Sequence, residues 1–160
     1  MSGNPYAAFL EGREPATLVR EFPEKLGRVM ERLGTEGMGR RLAPGKWTVA
    51  EILCHLADTE IAFGFRWRQA LAEDNHVVQP FDQDRWAPRY PTTPGDEALR
   101  AFLAVRQWNV LLLERLDAAD WGRPVMHPER GPLEFETLVA IMAGHDLNHL
   151  AQLEAMASQK

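Results

Sequence analysis

Two histidines, His145 and His149, stand four residues apart near the C-terminal end of the chain. At 3.6 residues per turn this spacing stacks both imidazoles on one helix face. Leu138, Met142, Gln152 and Met156 lie on or near the same face, so that face points inward. Buried imidazoles need partners for their ring nitrogens, and a metal ion satisfies one nitrogen of each ring. Taken alone, such a pair reads more readily as a coincidence of surface or core histidines. His55 alters the balance. It lies in another helical segment, on a face with Ile52, Thr59 and Ala62. Three imidazoles from two facing helices form a facial set of nitrogen ligands. Three protein ligands plus water mark a catalytic metal site rather than a structural one. Neutral imidazole suits zinc, nickel, copper or iron, so the ligands alone do not select the ion.

Other polar residues are placed by their spacing from these three. Asp58 follows His55 by three positions, and Asp146, Asn148 and Gln152 flank the histidine pair. A metal-bound histidine commonly donates its second N–H to a carboxylate or carbonyl, which makes Asp58 and Gln152 candidates for that role. Asp146 and Glu60 read as ordinary solvated helix polarity. Arg66 continues the His55 face and either anchors an anionic substrate group or pairs with an acidic residue of the following loop. Cys54 adjoins His55, but helix neighbours point about 100° apart. It therefore reads as a small buried hydrophobe. His76 and His127 sit among polar residues and prolines and read as surface-loop histidines, with His76 in reach of a pocket mouth.

Four amphipathic segments must position these groups. The first runs from about Pro15 to Leu33, with Leu18, Phe22, Leu26, Val29, Met30 and Leu33 in one stripe. Pro23 falls inside it and predicts a kink or a new helix start. The second opens on Thr48 and Glu51, a capping box with Trp47 and Ile52 placed as a hydrophobic staple, and continues to about Ala72. The third opens at Thr93-Pro94 and carries Leu99, Phe102, Leu103, Arg106, Val110, Leu113 and Leu116. The fourth runs from about Leu133 to Ala157. Strand patterns are absent, and four long helices predict an all-α four-helix bundle. Asn75 to Thr93 reads as a long loop between helices two and three. Loops of this length are often functional lids. Its Phe81, Asp82, Asp84, Arg85, Trp86 and Tyr90 either line a pocket mouth or pack over one bundle end.

The 160 residues, 45% hydrophobic and 26% charged, suit a single globular domain spanning 1–160. A net charge of −5 provides no basic footprint for nucleic acid or for an anionic membrane. No apolar run approaches the roughly 20 residues that span a bilayer. The first ten residues lack a basic region followed by an apolar stretch, and Cys54 is the single cysteine. Both features suit a reducing cytoplasm.

Trp47 to Glu60, WTVAEILCHLADTE, resembles the second helix of DinB/YfiT-like proteins, and His145 to Leu153, HDLNHLAQL, resembles their last helix. Phe81 to Trp86, FDQDRW, is similar to a loop motif of one branch. The resemblance covers the chain from about Pro15 onward. It implies an up-down-down-up bundle with a three-histidine metal site at one end, whose ligands fall on His55, His145 and His149. It also implies a homodimer and a small-molecule substrate. Members of the family include S-transferases and a maleylpyruvate isomerase that use low-molecular-weight thiols such as bacillithiol or mycothiol, and others assigned as metal-dependent hydrolases. The resulting expectation is a divalent-metal enzyme, with zinc or nickel, that activates a thiol or water for S-transfer or hydrolysis. Its alternative is a non-catalytic metal- or ligand-binding stress-response module. A metallopeptidase fits poorly. HDLNH carries Asp where HExxH carries the longer Glu, and no further ligand follows His149.

Overall fold

The strongest local signal is at the start of the second long helix. The Thr48 hydroxyl accepts from the Glu51 backbone N–H at 3.2 Å, and the Glu51 carboxylate accepts from the Thr48 N–H at 2.6 Å. Two otherwise orphaned donors are thereby satisfied. Thr48→Ala is expected to cost about 1 kcal/mol, read as a lower urea midpoint at unchanged m-value. Trp47 packs on the cluster that contains Ile52, as a staple requires.

The computed structural model describes residues 3–159, and among them four long helices form the body. They are α2 (Pro15–Leu33), α3 (Val49–Ala72), α5 (Gly95–Leu113) and α7 (Phe135–Ala157). Three single-turn helices accompany them: α1 (Ala7–Leu10), α4 (Gln83–Trp86) and α6 (Ala118–Trp121). Cross-contacts set the directions. Ala50 meets Gly95 near the start of α3 and α5, while Glu60 and Gly64 meet Asn109 further along both, so these two helices are parallel. Arg32 at the end of α2 reaches Ser158 just past α7, so that pair is parallel as well. Helix α3 runs against α7, with Trp67 near its C-terminus packed on Phe135, the first residue of α7. The order is up-down-down-up, as the resemblance implies, and the long connection from α3 to α5 is what parallel neighbours demand.

Two apolar clusters fill the interior. One gathers Trp67, Phe135, Leu138 and Met142, and the other gathers Phe22, Leu26, Ile52, Leu53, Phe102 and Leu153. The histidines lie between them along α7.

Three expectations change. A hairpin of β1 (Pro124–His127) and β2 (Gly131–Glu134) precedes α7, so Leu133 belongs to a strand and α7 starts at Phe135. Strands of four residues are too short to show a clear alternation, which hid them. The 75–93 connection is not wholly irregular, since it holds α4 and a 3₁₀ turn over Ala87–Thr92. Pro23 neither breaks α2 nor starts a new helix. A proline cannot donate to the carbonyl four residues back. That carbonyl, on Val19, instead accepts from Arg106 Nη1 at 3.1 Å.

Candidate metal centre

His55 comes from α3, and His145 and His149 come from adjacent turns of the antiparallel α7. All three are buried, at 1%, 6% and 7% exposure. Their ring centroids lie 4.5–4.9 Å apart, and one ligand nitrogen from each falls within 4.8 Å of the others. His55 Nε2 and His145 Nε2 are 2.8 Å apart, close enough to share one proton. His149 Nδ1 faces Gln152 Oε1 at 3.2 Å, which leaves Nε2 as its free lone pair. Aromatic rings wall the cluster. The Trp47 and His55 ring centroids lie 4.8 Å apart, and Tyr6 and His145 meet edge to face with centroids 5.6 Å apart. Tyr6 reaches this position because residue 144 is glycine, since a Cβ there would meet the Tyr6 backbone oxygen at 2.7 Å.

Burial dominates the electrostatics. It pushes the His55 pKa down to about 3, with His145 adding to the shift. Burial, and then His145 and His55, hold His149 well below the ordinary value in spite of Gln152. Neither ring is protonated near neutral pH. Both rings are therefore neutral, the form in which imidazole binds a metal. The Nδ1 atoms of His55 and His145 are buried without a hydrogen-bond partner. Three converging imidazoles, two of them with a partnerless Nδ1, fit a transition-metal ion, with nitrogen donors that suit zinc or nickel.

Residues 18–153 match the model of the DinB superfamily. The chain belongs to the DinB superfamily. A relative from Oceanobacillus iheyensis, provisionally named as a metal-dependent hydrolase, is 29% identical over 143 residues, covering 89% of this chain and 83% of its own. A similarly named protein of Geobacillus thermodenitrificans is 27% identical over 152 residues, covering 92% and 85%. Among solved structures, YfiT of Bacillus subtilis superposes with a TM-score of 0.79 at 21% identity, covering 89% of this chain and 83% of that one. It is described as a four-helix bundle of unusual topology and, provisionally, as a metal-dependent hydrolase. A mycothiol-dependent maleylpyruvate isomerase superposes with a TM-score of 0.71 at 17% identity, covering 88% of this chain and 59% of the other.

Within this DinB chain the remaining candidates separate. Gln152 sits at His149 as its spacing requires. Asp58 does not reach a histidine. It accepts from the Tyr90 hydroxyl at 2.9 Å and lines a separate cavity of about 620 Å³ with Cys54 and Trp86. Three residues on, its side chain has rotated off the His55 face. Burial, then Asp58 and Glu51, push the Cys54 thiol up, so it stays protonated, and its side chain lines the separate cavity with Asp58. Asp82 is exposed and caps α4, while Trp86 stacks near Phe81. Phe81, not Asp82 or Trp86, brings the loop to the histidines, lining a cavity of about 160 Å³ that also touches His55 and His145. Arg66 lines that cavity and donates to the Gln79 carbonyl rather than to a loop acid.

Two expectations reverse. Glu60 and Asp146 are not solvated; both are at most 1% exposed and pair with Arg106 Nη2 at 2.6 and 2.8 Å. His127 is not a surface-loop residue. It is 7% exposed on β1 and lines the same cavity as His55. It faces inward with Val125, and a strand of four residues is too short for that alternation to be legible in the sequence. His76 stays outside this cavity and pairs with Glu73 at 2.7 Å. Tyr6 and Arg130, which also line the cavity, carried no periodic signal.

Proposed function

We propose that the chain binds one divalent transition metal through His55, His145 and His149 and acts as a metal-dependent enzyme on a small molecule. The observation that carries this reading is the convergence of three buried imidazoles beside a cavity that opens onto two of them. The names of the relatives support the metal dependence. A bound zinc or nickel ion would lower the pKa of a thiol or water and supply an anionic nucleophile near neutral pH. The thiol route draws support from the mycothiol dependence of the isomerase that shares the fold, and the water route from the hydrolase names. The chain's own residues do the rest. Gln152 holds the His149 ring, Trp47 and Tyr6 exclude water from its neighbours, and Phe81 closes the cavity wall. The cavity beside the rings favours catalysis over a purely structural ion, because a structural site closes its coordination with four protein ligands.

Elemental analysis of tag-free protein tests this directly. About one zinc or nickel per chain is expected, falling to near zero in His149→Ala. Absence of metal after incubation with either ion would remove the proposal and leave a ligand-binding module.

A further inference from the structure

The chain buries two arginines, and their surroundings differ. Arg106 has two carboxylates, Glu60 and Asp146, against its guanidinium. Arg66, at 7% exposure, has none among the described residues. Its protein acceptor is the Gln79 carbonyl, 3.1 Å from Nε and 2.8 Å from Nη2. These two bonds leave Nη1 without a protein acceptor. The guanidinium carbon lies 5.0 Å from the Phe63 ring and 5.5 Å from Phe81, so aromatic faces hold the cation but do not neutralise it. A charge buried without a counter-ion is costly, and it persists where something else supplies the opposite charge.

The cavity beside it offers the means. Arg66, Arg130 and Glu129 all line it. Arg130 Nη1 lies 3.5 Å from Glu129 Oε2, so that pair offsets itself and Arg66 remains as the uncompensated charge. The Thr59 hydroxyl is buried on the same wall with no hydrogen-bond partner. His127 accepts the Glu129 backbone N–H at Nδ1, which puts the ring proton of the neutral imidazole on Nε2. The other walls include Phe63, Phe81, Leu138 and Ile141.

We propose that this cavity takes a compact small molecule carrying a carboxylate, with Arg66 as the charge anchor, Thr59 and His127 as hydrogen-bond partners, and His55 and His145 on the same lining. Arg66 lies eleven positions after His55 on α3, about three turns along the same helix, and both side chains line this cavity. Arg66 is not one of the three imidazole ligands, so the anchor selects the substrate by its charge and leaves the metal ligands unchanged. This deepens the metal-enzyme reading and rests on it only for the reacting end.

Benzoate and its uncharged analogue benzamide are suitable probes, because they share one aromatic body and differ in the charge. Calorimetric titration is run on the protein as purified and again after chelator treatment. Benzoate is expected to bind at least tenfold tighter than benzamide in both, and Arg66→Gln to weaken benzoate at least tenfold while metal per chain stays at the wild-type value. Arg66→Lys, which keeps the charge, should retain a preference for benzoate. Equal binding of the two probes, no binding of benzoate, or unchanged benzoate affinity in Arg66→Gln would overturn the proposal. The probe comparison on the unmodified chain decides even if a variant fails to fold. A wild-type chain without metal would defeat the metal reading alone, since the chelator-treated titration does not depend on it.

Discussion

Replacing Arg106 with methionine is expected to lower the unfolding free energy by about 3–5 kcal/mol, because it strands two buried carboxylates. Arg106 is 0% exposed and donates from Nε and Nη2 to Glu60 at 2.9 and 2.6 Å, and from Nη1 to the Val19 carbonyl. Burial works against its charge, but Asp146 and Glu60 more than offset that, so its pKa stands above the ordinary value. One guanidinium thus ties together α2, α3, α5 and α7. For a domain of this size the loss corresponds to a melting temperature lower by roughly 6–20 °C. The triple change Arg106→Met, Glu60→Gln, Asp146→Asn removes the stranded charges and should recover much of that loss. Thermal unfolding of the single and triple variants would decide the matter, and a single variant as stable as the parent would show that the pair contributes nothing. The change should also reach the metal. Glu60 lies on the helix of His55, and Asp146 adjoins His145, so the guanidinium fixes how α3 and α7 meet where their histidines converge. Weaker zinc binding by the variant is the expected companion result.

This network explains what the sequence could reveal and what it could not. The histidines were legible because their spacing carries a helical period, and so was the Thr48–Glu51 cap, whose partners are three residues apart. Helical periodicity reports which face a residue occupies, not what stands opposite. Glu60 and Asp146 therefore looked like solvated carboxylates, and Arg106 looked like one polar residue in an apolar stripe, because their partners lie on other helices. Pro23 predicts a kink or a new helix start, whereas in the fold its missing N–H frees the carbonyl that Arg106 uses. Gly64 belongs to the same set. A Cβ there would meet the Asn109 amide at 2.6 Å, so the glycine admits the side chain that donates to Glu60. The cavity wall from β1 depends on a short hairpin packed against distant helices, and no local pattern announces it.

Stability of the metal-free protein is expected to fall steeply as the pH drops from about 7.5 to 5. The folded state holds His55 near pKa 3, against 6.5 for the ordinary side chain, chiefly through burial. Between those values the unfolded chain binds a proton on this ring and the folded chain does not. Stability therefore rises with pH across the window, is complete above about 6.5, and is lost progressively toward 3. Down to pH 5 this one ring accounts for about 2 kcal/mol, at 1.36 kcal/mol per pH unit. His149, depressed by burial and by its two histidine neighbours, acts in the same direction. Stopping at pH 5 keeps the measurement above the ordinary carboxylate range. Urea midpoints of chelator-treated protein at several pH values would measure the slope, and His55→Gln should flatten it by one proton's worth. A midpoint that does not move between pH 7.5 and 5 would mean that the rings take up protons in the folded state. His55 and His149 would then not be the unprotonated ligands on which the metal reading depends. Bound metal should suppress the acid sensitivity, because an ion on the three nitrogens stabilises only the folded state. Protons then have to displace it before the chain can unfold.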